Sequence, residues 1–330
     1  MPEVVIIVAD LGEFGLIAAI QAVLPPDPSA IVGVGDDAAV LPVPDGRIVA
    51  STDLLVEGRH FRRDWSAPQD IGAKAAAQNL ADIAAMGALP TALLFGLAIP
   101  GDIEVAWVLD VTRGMAAECG RAGAAIAGGD VTSADAVMLA ITALGQLAGR
   151  EPVTRAGAKA GDVLALSAPV GRSAAGLALL QAGAADSSPA ASALVAAHRR
   201  PRPDYAAGPL AAAAGATAMI DVSDGLVADL GHIAVASGVT LNVGTQSLPG
   251  ARELAAAAAA LGTDWHAWAL AGGEDHALAA TFPETRGVPD MWTLIGTVGR
   301  GRVGRGGGVL VDGQDWTGPA GWDHFPKLEG

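Results

Sequence analysis

The sequence predicts a mixed α/β protein (α+β mixed sheets) built as two domains, and three observations carry that expectation. Apolar runs of strand length alternate with longer, alanine-rich stretches of helical spacing in both halves. The 330 residues suffice for two cores, since a domain typically takes about 150 residues. Around residue 150 the segment "GREPVTRAGAKAGD" concentrates Gly, Pro and charge between apolar stretches, as domain boundaries do. The domains are therefore expected at 1–150 and 151–330.

In the first half, "GEFGLIAAIQAVL" has helical spacing and stops at Pro25-Pro26, which cannot continue a helix. The apolar run before it, in "MPEVVIIVAD", reads as a strand or an ordering arm. "AIVGVG" and "RIVAST" read as strands that run into Asp36-Asp37 and Asp53. "PQDIGAKAAAQNLADIAAMGALP" is a helix carrying Asp82, closed by Gly87 and Pro90. "TALLFGLAI" is a strand, "EVAWVLDVTRGMAAECGRAG" a second long helix, and "AAIAGGD" a strand ending at Asp130. "AVMLAITALGQL" completes the first sheet.

In the second half, "VLALSAPVGRSAAGLALLQAG" reads as strand, Gly-rich turn and helix. A polar Ser- and Ala-containing segment and the bend "RRPRPDY" follow. "ATAMIDVSDGLVADLGHIAVASG" is strand, acidic turn and helix; then come the strand "VTLNV", an alanine-rich helix at 251–261, "LAGGEDHALAATF", and a Gly- and Arg-rich tail.

Composition narrows the function. With 51% hydrophobic and 17% charged residues the chain is neither disordered nor a polar linker. No apolar run reaches the roughly 18 residues that crossing a bilayer needs, so no membrane partner is expected. A net charge of −15 disfavours a phosphodiester backbone, so no nucleic acid is expected either. Cys119 is the one cysteine, which excludes an internal disulfide, and without an export signal the cytoplasm is the expected compartment. No Ser-His-Asp or zinc-type spacing stands out among six histidines.

The informative residues are acids. Asp36, Asp37, Asp53, Asp82, Asp130, Asp221 and Asp224 end apolar runs or sit on a helix, and strand ends along one sheet edge can converge on a cleft. Converging carboxylates need cations. Hard oxygen donors, with the Ser51 and Thr52 hydroxyls among them, suit Mg²⁺, and so many acids would fit more than one ion. A single aspartate is commonly only a turn or cap residue, and Asp224 in "SDGLVADL" reads as a helix cap. The surroundings lift the group above that reading: "GDD", "STD", "GGD" and "DVSDG" each pair acid with Gly, Ser or Thr after an apolar run. "APVGRSAAG" has the glycines of a phosphate loop but no Lys-Ser or Lys-Thr ending, so it is no P-loop. Arg155 is then a candidate to hold phosphate oxygens.

Read in order, "GEFGLI", "VGDDAAVL", "STDLLVEGRHF", "NLADIAAMGA", "AGGDVT", "VTRAGAKAGD", "DVSDGLVADL", "LAGGEDH" and "GWDHF" resemble the thiamine-monophosphate kinase family of the PurM-like ATP-binding superfamily. The resemblance spans about Gly12 to Phe325. It implies a PurM-like two-domain architecture, ATP as co-substrate, several Mg²⁺ ions, and phosphorylation of thiamine monophosphate to thiamine diphosphate in a homodimer whose N-terminal domain binds metal and ATP and dimerises. On matching positions it implies Asp37, Ser51, Thr52, Asp53, Asp82, Asp130, Asp221 and Asp224 as Mg²⁺ ligands. It likewise implies Gly129, Asp130, Arg155 and Ser223 as ATP contacts, and His60, Glu274 and Trp322 as contacts to thiamine monophosphate. Two departures concern the substrate pocket: His276 stands where many members have tyrosine, and Arg59 precedes His60 where others vary.

The chemistry agrees with these residue types. A phosphate monoester is already anionic at neutral pH, so direct in-line transfer needs no general base. The alternatives are another PurM-like enzyme, of the aminoimidazole ribonucleotide synthetase type, or a non-catalytic acidic metal-binding protein. Selenophosphate synthetase and the hydrogenase-maturation dehydratase would want an N-terminal reactive cysteine or a C-terminal one, and this chain ends "FPKLEG" with neither.

Overall fold

The computed structural model describes residues 5–27, 29–32, 38–301, 307–319 and 321–322. Asp36, Asp37 and the terminal "DHF" lie outside the described residues, as does the second half of the strand expected at "AIVGVG", of which Val32 forms a single bridge to Val40. The chain divides into two compact units, Met1–Ile83 with Ala88–Gly149, and Ala84–Gly87 with Arg150–Gly330.

The first unit contains α1 (Val8–Val23), β1 (Val49–Val56), α2 (Pro68–Ala85), β2 (Leu89–Ile99), α3 (Val105–Ala122), β3 (Ala125–Ser133) and β4 (Met138–Gln146). Its sheet has the order β1-β4-β2-β3. The β1/β4 and β4/β2 pairs are antiparallel and β2/β3 is parallel, the crossover being α3, which closes at Gly123 with φ 75°. Along β4, Leu139, Ile141 and Ala143 are buried while the residues between them are half-buried. A Cβ on Gly145 would strike Ile83, so the buried side of β4 is the side that α2 covers.

Three local expectations shift. Of the N-terminal apolar run, Ile7 makes an antiparallel bridge to Glu104, and α1 already begins at Val8, because the Asp10 carboxylate accepts the Ile7 N–H at 3.0 Å and starts the helix there. β1 continues past Asp53 to Val56 and β3 past Asp130 to Ser133, since Leu54-Leu55-Val56 and Val131-Thr132-Ser133 keep pairing with their neighbours. Asp53 and Asp130 are thus mid-strand residues.

The second unit contains β5 (Asp162–Leu166), α4 (Arg172–Gln181), α5 (Pro189–Arg199), α6 (Ala207–Ala214), β6 (Ala218–Val222), α7 (Leu226–Ser237), β7 (Val239–Val243), α8 (Ala251–Leu261), α9 (Trp265–Ala271), β8 (Ala277–Pro283), β9 (Thr293–Arg300), β10 (Gly308–Val311) and β11 (Gln314–Asp315). They form a seven-stranded sheet ordered β11-β10-β7-β9-β5-β8-β6. Leu164, Leu166, Ile220 and Val222 pack with Leu179, Leu194, Leu226 and Leu230 of the helices in one cluster. Met219, Leu278, Ala280 and Phe282 pack with Ala207 and Ala211 of α6 in another. Cover on both faces explains why β6 and β8 are apolar and buried almost without alternation. The segment read from sequence only as polar contains α5, whose Ser188 side chain accepts the Ala191 N–H at 3.1 Å with Pro189 in the first turn.

Candidate functional site

In the first unit, strand alternation sorts the candidate ligands. Ser51, Asp53 and Leu55 share the face covered by α2, because they pair with the buried residues Ala143, Ile141 and Leu139 of β4. Ser51 donates its hydroxyl to Asp82 of α2 at 2.6 Å, and the Asp53 N–H is received by Asn79 one turn earlier at 2.9 Å. Thr52 points to the opposite face, where its hydroxyl donates to the Ile141 carbonyl at 2.9 Å. His60, in the loop after β1, accepts the Val56 N–H on Nδ1 at 3.1 Å, which puts the proton of the neutral ring on Nε2. The buried Lys74 ammonium holds the His60 carbonyl at 2.9 Å.

Asp130 does not join this group within the unit. Strand order places β3 at the sheet edge opposite β1, and Asp130 pairs with Gly96, itself paired with Ala140 on the uncovered face. Within this unit the parallel β2-α3-β3 crossover carries Asp130 to the sheet edge opposite β1. Beside it, Gly129 is sterically required, because a Cβ there would lie 2.1 Å from the Phe95 carbonyl oxygen.

In the second unit, two loops are fastened to each other. Asp221 is the penultimate residue of β6, and Ser223 and Asp224 form the turn before α7; Glu274 and His276 lie in the loop between α9 and β8. The Glu274 N–H donates to the Ser223 carbonyl at 2.8 Å and the His276 N–H to the Val222 carbonyl at 3.0 Å. His276 Nδ1 lies 3.5 Å from the Asp221 carboxylate. The Trp322 N–H donates to the Asp224 carbonyl at 2.9 Å, leaving its indole largely exposed. Five candidate residues expected to serve nucleotide, metal or substrate thus occupy one place. Arg155 is exposed, in a segment whose Thr154 carbonyl accepts the Met219 N–H of β6 at 3.1 Å.

Taken singly, Asp224 in "SDGLVADL" reads as a helix cap. The N-cap is instead Gly225, without a side-chain bond, and the carboxylate that receives the turn is Asp229. One oxygen of this buried side chain accepts the N–H groups of Ser223, Asp224 and Gly225 at 3.0, 3.1 and 3.1 Å. Burial, followed by the charge of Asp221, pushes its carboxyl up to about 7, against the lowering effect of the N–H donors. Cations near Asp221 and Asp224 would reverse that pressure. Asp229 was missed because an acid in the first turn of a helix is ordinarily read as a dipole partner.

The Gly-rich turn "APVGRSAAG" is occupied from within the chain. Asp275, next to Glu274, accepts the Gly171 N–H at 2.5 Å and the Ser173 N–H at 2.9 Å at the start of α4. Its carboxyl is pushed up to about 6 by burial. Among the described residues no group of three or more His, Cys, Asp or Glu side chains forms a metal cluster. The pairs that do form, Ser51 with Asp82 and Asp221 beside the Ser223–Asp224 turn, are hard oxygen donors. Such donors suit Mg²⁺, which typically takes only one or two carboxylates and completes its shell with water and phosphate.

Two α/β units bearing these acidic turns define the class: family models for AIR synthase related protein match residues 35–147 (N-terminal domain) and 159–288 (C-terminal domain). Within that class, the thiamine-monophosphate kinase of Mycobacterium tuberculosis is 50% identical over 316 residues, 96% of this chain and 92% of the relative. That of Corynebacterium glutamicum is 44% identical over 89% of this chain and 88% of its own length. The solved structure of AaThiL complexed with AMPPCP and TMP superposes with TM-score 0.78 at 34% identity, over 98% of this chain and 100% of that one. The chain belongs to the thiamine-monophosphate kinase family.

Proposed function

We propose that the chain transfers the γ-phosphoryl group of ATP to the phosphate of thiamine monophosphate, giving thiamine diphosphate and ADP. One observation carries the reading: the Glu274–Ser223 main-chain bond of 2.8 Å joins the loop expected to meet thiamine monophosphate to the turn expected to meet ATP. A relative of known structure was complexed with AMPPCP and TMP.

Ser51, Asp53 and Asp82 are the Mg²⁺ ligands of the first unit, with Thr52 contributing through its main chain because its hydroxyl is engaged by Ile141. Asp37 and Asp130 belong to the same assignment, the former lying outside the described residues and the latter on β3. Asp221 and Asp224 are the metal ligands of the second unit, and Gly129, Asp130, Arg155 and Ser223 are the ATP contacts. His60, Glu274 and Trp322 meet thiamine monophosphate, the indole lying against the cationic thiazolium. Bound Mg²⁺ supplies charge neutralisation between two anionic reactants.

The residues position rather than exchange protons. The acceptor oxygen is already ionised near neutral pH, so Arg155 and the Ser223 hydroxyl have only to hold the phosphates in line. An isotopically chiral γ-phosphate should therefore be transferred with inversion. Retention would mean a phosphoenzyme and would remove the in-line reading.

The first unit is also the dimerisation domain in this proposal. The sheet face opposite α2 exposes Leu54 and Leu94 at 50% and 37%, and a second copy would cover it. The cytoplasm is the proposed compartment; among the described residues no helix is long and apolar enough to cross a membrane.

A further inference from the structure

The turn at the start of α4 has the glycines of an anion-binding loop. Its donors are nevertheless used. Gly171 N–H meets Asp275 Oδ2 and Ser173 N–H meets Asp275 Oδ1, so the carboxylate grips the first turn of α4 with both oxygens. Gly171 makes this approach possible: it takes φ 85°, and a Cβ on it would lie 2.8 Å from the main chain of Trp268 and Ala269.

The residues on either side of Asp275 are strained. Glu274 has φ 65° and His276 has φ 55°, left-handed values that cost a side-chain-bearing residue about 1–2 kcal/mol each and persist only where surrounding contacts impose them. Besides the main-chain bonds of Glu274 and His276 to Ser223 and Val222, the contact between them is the Asp275 grip on α4, 102 to 104 residues away in sequence. A second link closes the arrangement: the buried His198 ring of α5 places Nδ1 3.0 Å from Ser173 Oγ and 3.5 Å from Glu274 Oε2. The start of α4 thus bonds the Asp275 side chain directly and reaches the Glu274 side chain through His198.

We propose that Asp275 is the positioning residue of the substrate loop, an internal anion seated at the N-terminus of α4 that holds Glu274 in its left-handed, substrate-facing conformation. This rests on the reading of Glu274 as a contact to thiamine monophosphate. It also means that the start of α4 is not a nucleotide site, since a phosphate there would have to displace the carboxylate.

Steady-state kinetics on Asp275→Asn and Glu274→Gln separate the two claims. Asp275→Asn keeps the shape and loses the charge. The expected result is a KM for thiamine monophosphate raised about 10- to 100-fold, as misplacing a binding group does, with the KM for ATP within about two-fold of the parent. In Asp275→Ala, added formate should recover part of the loss by refilling the helix terminus. An unchanged KM for thiamine monophosphate in Glu274→Gln overturns the reading of Glu274. A raised KM in Glu274→Gln beside an unchanged one in Asp275→Asn overturns the positioning role alone. Should the Asp275 variants fail to fold, the unmodified protein still decides: the Gly171 and Ser173 amide resonances should stay in place when Mg²⁺ and AMPPCP are added. A large movement of both would put the phosphates at α4 and overturn the proposal.

Discussion

Ser51 donates its hydroxyl to Asp82 at 2.6 Å, so an edge strand and a helix meet through two groups that both favour a hard cation. Removing the hydroxyl in Ser51→Ala should cost about 1 kcal/mol of stability, the typical worth of one hydrogen bond. It should also raise the Mg²⁺ concentration needed for half-maximal activity about ten-fold or more, by loosening Asp82. Activity measured against Mg²⁺ at saturating ATP checks this. An unchanged Mg²⁺ dependence would detach this pair from the metal.

The uncovered sheet face of the first unit should be an interface between copies. Leu54 and Leu94 are presented on it, and a charge placed there cannot be buried without a partner. Leu54→Glu should shift the sedimentation of the protein from dimer to monomer at concentrations where the parent is dimeric. A monomeric parent, or a variant that stays dimeric, would contradict the assignment.

Asp275 should leave a mark on stability against pH. Its carboxyl is raised to about 6 from 3.8 by burial, so between those values the folded protein holds a proton that the unfolded chain has released. Stability from this group is therefore full below pH 3.8 and lost as pH rises through about 6. The loss amounts to about 3 kcal/mol. Urea unfolding at a series of pH values should show a steeper decline for the parent than for Asp275→Asn. Parallel curves would place the titration elsewhere.

Cys119 should be inert while the protein is folded. It is buried on α3, and burial followed by the charge of Glu118 pushes its thiol up to about 12. The reactive thiolate is thus scarce as well as hidden. Iodoacetamide at mildly alkaline pH should label it only after denaturant is added. Rapid labelling of the native protein would mean that α3 opens locally.

Much of the candidate site is legible because its residues come in short, local packages. "STD", "DVSDG" and "GGED" each place acid next to small residues after an apolar run, and the structure keeps each package on a strand or turn. What was not legible depends on tertiary placement. Strand order put Asp130 on the far edge from β1, because β3 reaches β2 through a parallel crossover that spacing does not announce. Asp229 and Asp275 are not legible for a related reason: each acts on main-chain N–H groups, in the second case on a turn 102 to 104 residues away, and neither spacing nor composition records that. α5 went unread although Ser188 and Pro189 mark its start, because the serines and alanines around them resemble a linker.

The most direct test supplies the purified protein with Mg²⁺, ATP labelled at the γ-phosphate, and either thiamine monophosphate or thiamine. The account requires label to appear in thiamine diphosphate, one for each ADP formed, with thiamine inert because it offers no phosphate oxygen as acceptor. ATP consumed without labelled diphosphate, or transfer to thiamine at a comparable rate, would contradict it.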